Sequence, residues 1–126
     1  MAGERVLVVE DNEKSMKLFR DVLLATGYRT LEATTGGQAV ELAAEHAPDL
    51  VLMDIQLPDI DGVEALSRLR ANERTASIPV LAVTAQAMQG DQRRFLAAGF
   101  DGYISKPVNV VELLGTVRQH CDGRAR

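Results

Sequence analysis

The stretch VLMDIQLPDIDG, residues 51–62, carries three aspartates directly after an apolar run. Asp61 stands three residues before Glu64 at the start of a helical pattern, so it reads as a helix cap. Such a cap contributes roughly 0.5–2 kcal/mol over alanine. Asp59 follows Pro58, a turn setting in which aspartate is common. Asp54 has no such role. It ends what should be a buried strand, and no helix begins at it.

Other reactive types stand at equivalent places. The run RVLVV is followed by Glu10 and Asp11, IPVLAV closes on Thr84, and GYIS is followed by Lys106. Glu10 or Asp11 alone would pass as a surface acid, and Asp11 as a cap of the first helix. In combination they ask which elements bring them together.

Short β-branched runs (RVLVV, YRTLEA, DLVLM, IPVLAV, GYIS) alternate with stretches of helical spacing. Met16, Phe19, Val22 and Leu23 fall on one helical stripe, and Val110, Leu113, Leu114 and Val117 on another. Thr35 with Gln38 reads as a capping box, and Asp61 with Glu64 and Asn109 with Glu112 follow the same logic. Gly27 and Gly99 stand where a helix ends in the left-handed conformation. The pattern predicts an α/β fold of five βα units. Its nearly continuous apolar runs imply a parallel sheet with helices on both faces.

Five such units most often take the flavodoxin-like order 2-1-3-4-5, with the ligand crevice beyond the carboxyl ends of strands 1 and 3. Glu10, Asp11 and Asp54 then converge on one rim, joined by Thr84 and Lys106. Two unit charges about 4 Å apart cost roughly 4 kcal/mol at an effective dielectric of 20. A divalent cation would relieve that repulsion, and hard oxygen ligands suit Mg²⁺.

The bulk properties narrow the class. A formal net charge of −4 and 25% charged residues in 126 argue against a general nucleic-acid or anionic-membrane surface. Arg93 and Arg94 read as a solvated helix face. One cysteine, Cys121, five residues from the C-terminus, cannot form an internal disulfide and is expected to be dangling or half-buried. The apolar run near the N-terminus is too short for a secretory leader or a membrane span, so the cytoplasm is expected. Residues 1–126 are expected to form a single domain with its core at about 5–121 and no output domain.

Two enzyme or cofactor readings fail on particular residues. A phosphatase of the haloacid-dehalogenase type needs a second acid two residues after its nucleophile, where this chain has Gln56. A dinucleotide or flavin site needs a glycine-rich loop after the first strand, and EDNEKS is acidic without glycine.

VLVVEDN, DLVLMDIQLPDIDG, VLAVTAQAM and GYISKP resemble the receiver domain of two-component response regulators, in order, from about Arg5 to Cys121. That resemblance implies a phosphoacceptor regulator and not a true enzyme. Asp54 would take the phosphoryl group from a phosphohistidine on a sensor kinase or histidine phosphotransfer domain. Asp11 would hold Mg²⁺ (or Mn²⁺) directly and Glu10 through water, with Asp54 and the backbone carbonyl of Gln56 as further ligands. Thr84 and Lys106 would contact the phosphoryl oxygens, Tyr103 would be the aromatic switch, and Gln56 and Gln86 would tune the phosphoryl lifetime. The Lys106-Pro107 bond is expected to be cis. Many receivers have two aspartates where this chain has Glu10-Asp11, and the longer arm still reaches a metal-bound water. The signal would pass to a protein effector through the fourth helix, fifth strand and fifth helix. Gly90 and sparse apolar positions before Phe95 would leave that fourth helix weakly anchored. A monomer is expected, with dimerisation on activation open. The competing reading is a receiver fold used only for interaction, whose usual sign would be loss of Asp54, Thr84 or Lys106. All three are present.

Overall fold

Alternate residues of the central strands enter two different cores, which is why those strands read as unbroken apolar runs. In β1 (Arg5–Val9), Leu7 and Val9 join one buried cluster while Val6 and Val8 join another. In β3 (Leu50–Asp54), Val51 and Met53 divide from Leu50 and Leu52 in the same way. A strand buried on both faces has no polar side to show. The computed structural model describes residues 3–85 and 89–124, of which 89–92 and 122–124 by their backbone alone.

With β2 (Arg29–Ala33), β4 (Val80–Thr84) and β5 (Gly102–Ser105) these form one parallel sheet of order β2-β1-β3-β4-β5. Helices α1 (Glu13–Ala25) and α5 (Val110–Arg124) cover one face through Met16, Phe19, Leu23, Leu113 and Val117. Helices α2 (Gly36–His46), α3 (Gly62–Ala71) and α4 (Gln89–Ala98) cover the other. Phe95 of α4 meets Phe100 edge-to-face at 6.2 Å, and both are buried. Among the described residues no helix is long and apolar enough to cross a membrane.

The helix ends follow local chemistry. Thr35, Asp61 and Asn109 each accept the amide three residues on, as their spacing predicts. Gln38 closes its box one residue early, on the Thr34 amide at 2.9 Å. Gly27 and Gly99 have φ of 95° and 110°, a conformation that glycine takes without a Cβ clash. Helix α1 is capped by Asn12, whose Oδ1 accepts from Lys14 and Ser15, so Asp11 is not the cap. Arg93 and Arg94 are exposed, as expected of a solvated face. Cys121 departs from expectation: it is 2% exposed and packs in the α1/α5 core as a small apolar residue.

Asp59 does more than sit in a turn. Its Oδ1 accepts from the Gly36 amide at 2.8 Å and its Oδ2 from Gly37 at 2.9 Å, so it ties the loop after β3 to the first turn of α2. Donation from Gly37, Gly36 and then Ile60 holds its carboxyl down, to about 2. The folded state therefore favours the ionised form. The tether's stabilisation is complete above the ordinary carboxylate range near pH 4 and disappears as pH falls through about 2. Thermal melts should reveal it: the gap between wild type and Asp59→Ala stays constant at neutral pH, narrows below about pH 4 and closes near 2.

Candidate functional site

The site is built from strand ends. The Glu10 amide, just past β1, donates to the Ala33 carbonyl at 2.9 Å, which fixes the backbone where the side chain turns into the cleft. Asp54 is the last residue of β3, with its neighbour Ile55 bound to Val83 at 3.1 Å. The Lys106 amide donates to the Thr84 carbonyl at 2.8 Å, so the end of β5 lies beside that of β4. Residues distant in sequence thus share one edge of the sheet.

Their side chains meet there. Lys106 Nζ donates to both oxygens of Glu10 at 3.1 Å and to Asp54 Oδ2 at 3.3 Å. Asp54 Oδ1 accepts from the Gln56 amide at 3.0 Å, which leaves its carboxylate held at both oxygens. Carboxylate oxygens of Glu10, Asp11 and Asp54 lie within 4.8 Å of one another. Glu10 is 1% exposed and Asp54 6%, whereas Asp11 stands exposed at the rim. These residues line a cleft of about 340 Å³ with Thr84, the loop 55–58 and Asn12.

The electrostatics are those of an acid-rich hollow. Burial, then the hydrogen bond with Asp54, pushes the Glu10 carboxyl up to about 7, against the opposing pull of Lys106. Burial alone would lower Lys106, but its contacts with Glu10 and Asp54 outweigh that and raise it. One ammonium does not balance three carboxylates. The donor set, hard oxygens partly open to solvent, fits a small divalent cation such as Mg²⁺.

The wider ring of expected residues is divided. Thr84 is 3% exposed at the end of β4. Tyr103 is half-buried against the α2/α3/α4 core and pairs in register with Ala82. Thr84, two residues beyond Ala82, therefore shares that face of the sheet. Gln56 contributes to the cleft wall, whereas Gln86 lies outside the described residues. The Lys106-Pro107 bond is cis, as the resemblance implied. His120 is not among the residues that line the cleft, and its Nδ1 donates to the Thr116 carbonyl at 2.8 Å.

Gly62 ends the motif DLVLMDIQLPDIDG, but that motif gave it no role at the site. A Cβ there would lie 2.8 Å from the Asp54 carbonyl oxygen and 3.0 Å from Ile55 Cα, and its amide bonds the Ile55 carbonyl at 2.9 Å. The sequence signal was a glycine, a residue of low helix propensity, as the first residue of a helix. Gly62→Ala should destabilise the fold by about 1–3 kcal/mol, the usual cost of overpacking, in urea denaturation. It should also disturb the Asp54 backbone.

The family model for the response regulator receiver domain matches residues 6–118. The chain belongs to this family. The receiver is 49% identical to the polar-differentiation response regulator DivK of Brucella ovis over 91% of its own length and 94% of that protein's. DivK of Brucella anthropi is 48% identical over the same shares. Among solved structures, the receiver domain of sensor histidine kinase PA1611 from Pseudomonas aeruginosa superposes with a TM-score of 0.89 at 36% identity, covering 96% of this chain and 99% of that one. That structure has magnesium coordinated in its active site cleft. A CheY-like receiver from Methanospirillum hungatei gives 0.86 at 30% identity, with 98% of each chain covered. The receiver thus has the fold its sequence pattern predicted.

Proposed function

We propose that this receiver accepts a phosphoryl group on Asp54 from a phosphohistidine partner and signals through the surface of α4, β5 and α5. The reading rests on one observation: a single ammonium, Lys106 Nζ, bridges Glu10 and Asp54 beside a third carboxylate, Asp11. The magnesium in the cleft of the Pseudomonas receiver supports the same reading.

Glu10, Asp11, Asp54 and the Gln56 carbonyl would hold Mg²⁺, and Mn²⁺ could substitute. When bound, the cation supplies neutralisation of phosphoryl charge. The chain's own groups do the rest. An Asp54 oxygen forms the O–P bond as the P–N bond to the donor imidazole breaks. The electron pair stays on that nitrogen, which later takes a proton. Carboxylate attack of this kind is covalent catalysis. Lys106 stabilises the phosphoryl oxygens as charge develops, and Thr84 donates its hydroxyl. Gln56, in the cleft wall, stands where it can meet the water that later hydrolyses the mixed anhydride, and the family resemblance gives Gln86 the same lifetime-tuning role.

For output, the phosphoryl group draws Thr84 toward it, and Tyr103, on the same face, turns into the space released. A groove of about 580 Å³ lined by Tyr103, Ser105, Glu112 and Gln119 offers an effector surface beside that switch. The receiver is read as a cytoplasmic domain, monomeric at rest. Its partners are a histidine kinase or phosphotransfer domain and a protein effector, with no direct nucleic-acid contact. Incubation with a small phosphodonor tests the chemistry. Intact-mass analysis should find one added phosphoryl group with Mg²⁺ present and none after chelation. Uptake indifferent to the metal would overturn the reading.

A further inference from the structure

We infer that Asp59 is a positioning residue for the cation site, acting by tying the loop that carries Gln56 to the N-terminal turn of α2. The inference rests on the proposed Mg²⁺ site and adds a residue that does not touch it.

Loop residues 55–58 form one wall of the cleft. A backbone carbonyl has no rotamer with which to adjust, so the Gln56 oxygen stands wherever the loop path puts it. Behind Ile55 that path is fixed by the sheet, and ahead of Asp61 by α3, where Gly62 bonds the Ile55 carbonyl at 2.9 Å. Between them Asp59 uses both carboxylate oxygens on the Gly36 and Gly37 amides, at 2.8 and 2.9 Å. Those amides are at the positive end of a helix dipole, which favours an anion there. Ile60 completes the joint. A Cβ at Gly36 would lie 2.5 Å from its Cγ1, so the side chain occupies space that glycine alone leaves open. Loop and helix are interlocked at adjacent residues, three and four positions from Gln56.

Outer groups that orient metal ligands commonly change affinity by 10–100-fold when removed. Asp59 acts through the loop, so the lower end applies. Mg²⁺ titration by calorimetry at neutral pH tests this on wild type, Asp59→Ala, Asp59→Asn and Asp49→Ala. The last removes a comparable bond, Asp49 Oδ2 to the Arg5 amide at 2.9 Å, where β1 and β3 begin, at the other edge of the sheet. Asp59→Ala should weaken Mg²⁺ binding about tenfold. Asp59→Asn, which keeps one acceptor oxygen, should fall between it and wild type, and it carries the test if the alanine variant does not fold. Asp49→Ala should lose stability and keep wild-type affinity. Equal affinity in the wild type and the Asp59 variants overturns the inference while leaving the cation site intact. An equal loss in Asp49→Ala overturns it too, because the effect would then be general softening. Failure of wild type itself to bind Mg²⁺ removes the underlying site, a result distinct from either.

Discussion

Asp54→Asn should abolish phosphoryl uptake while leaving the fold intact or more stable. Asparagine matches aspartate in shape, and the side chain at this position is almost wholly enclosed at 6% exposure, so shape matters. Its amide oxygen can still accept from the Gln56 amide, the bond that Asp54 Oδ1 makes at 3.0 Å. Lys106 keeps its two contacts with Glu10. One negative charge is gone from a crowded site, and with it that charge's Coulomb repulsion with Glu10 and Asp11. What is lost is the 3.3 Å contact with Lys106 and the proposed nucleophile, because an amide does not attack phosphorus. With a small phosphodonor and Mg²⁺, the wild type should gain mass and the variant none, while its melting temperature stays level or rises. Equal labelling of both would place the acceptor elsewhere and end the assignment. A large drop in melting temperature would show that the Asp54 charge stabilises the fold, against the picture of mutual repulsion.

That picture was legible because it depends on position in a repeating pattern. Glu10, Asp54, Thr84 and Lys106 each stand at or just past the end of an apolar run. In an all-parallel sheet all such ends lie on one edge. Given the strand order, the meeting of Lys106 with Glu10, 96 residues away, follows. Local caps were legible too, since their partners lie three residues on. Contacts between loops were not. Nothing in LPDIDG says that Asp59 reaches back 23 residues to Gly36, because that depends on how far α2 and the β3–α3 loop approach. Gly62 was missed for a related reason: its use lies in the backbone of Asp54 and Ile55, and the sequence shows only an unfavourable helix residue. Cys121 was misjudged from its nearness to the chain end, when the stripe of Leu113 and Val117 continues to it. Asp11 was read as able to cap the first helix, whereas its neighbour Asn12 does so, and only the backbone path decides between adjacent residues.

Lys106→Met should separate two jobs that one ammonium performs. Methionine keeps most of the stem and removes the charge, so Glu10, 1% exposed, is left facing Asp54 without its counter-ion. Breaking a buried pair in this way costs about 3–5 kcal/mol, and the lower end applies because the Lys106 side chain is 24% exposed. A cation bound among the same carboxylates takes over that neutralisation, and a ligand that binds only the folded state adds stability in proportion to the logarithm of its concentration over Kd. Mg²⁺ should therefore raise the melting temperature of the variant more than that of wild type. It should not restore the rate. On the proposed mechanism the Lys106 ammonium also donates to the phosphoryl oxygens, which a cation's charge does not replace, and removing one such donor typically slows reaction by about 10²–10³-fold. Labelling at saturating Mg²⁺ should therefore remain slower by about that factor even where the melting temperature has recovered. A wild-type rate in the rescued variant would reduce Lys106 to a counter-ion for Glu10. A variant that Mg²⁺ fails to stabilise would mean that the carboxylates do not hold the cation together.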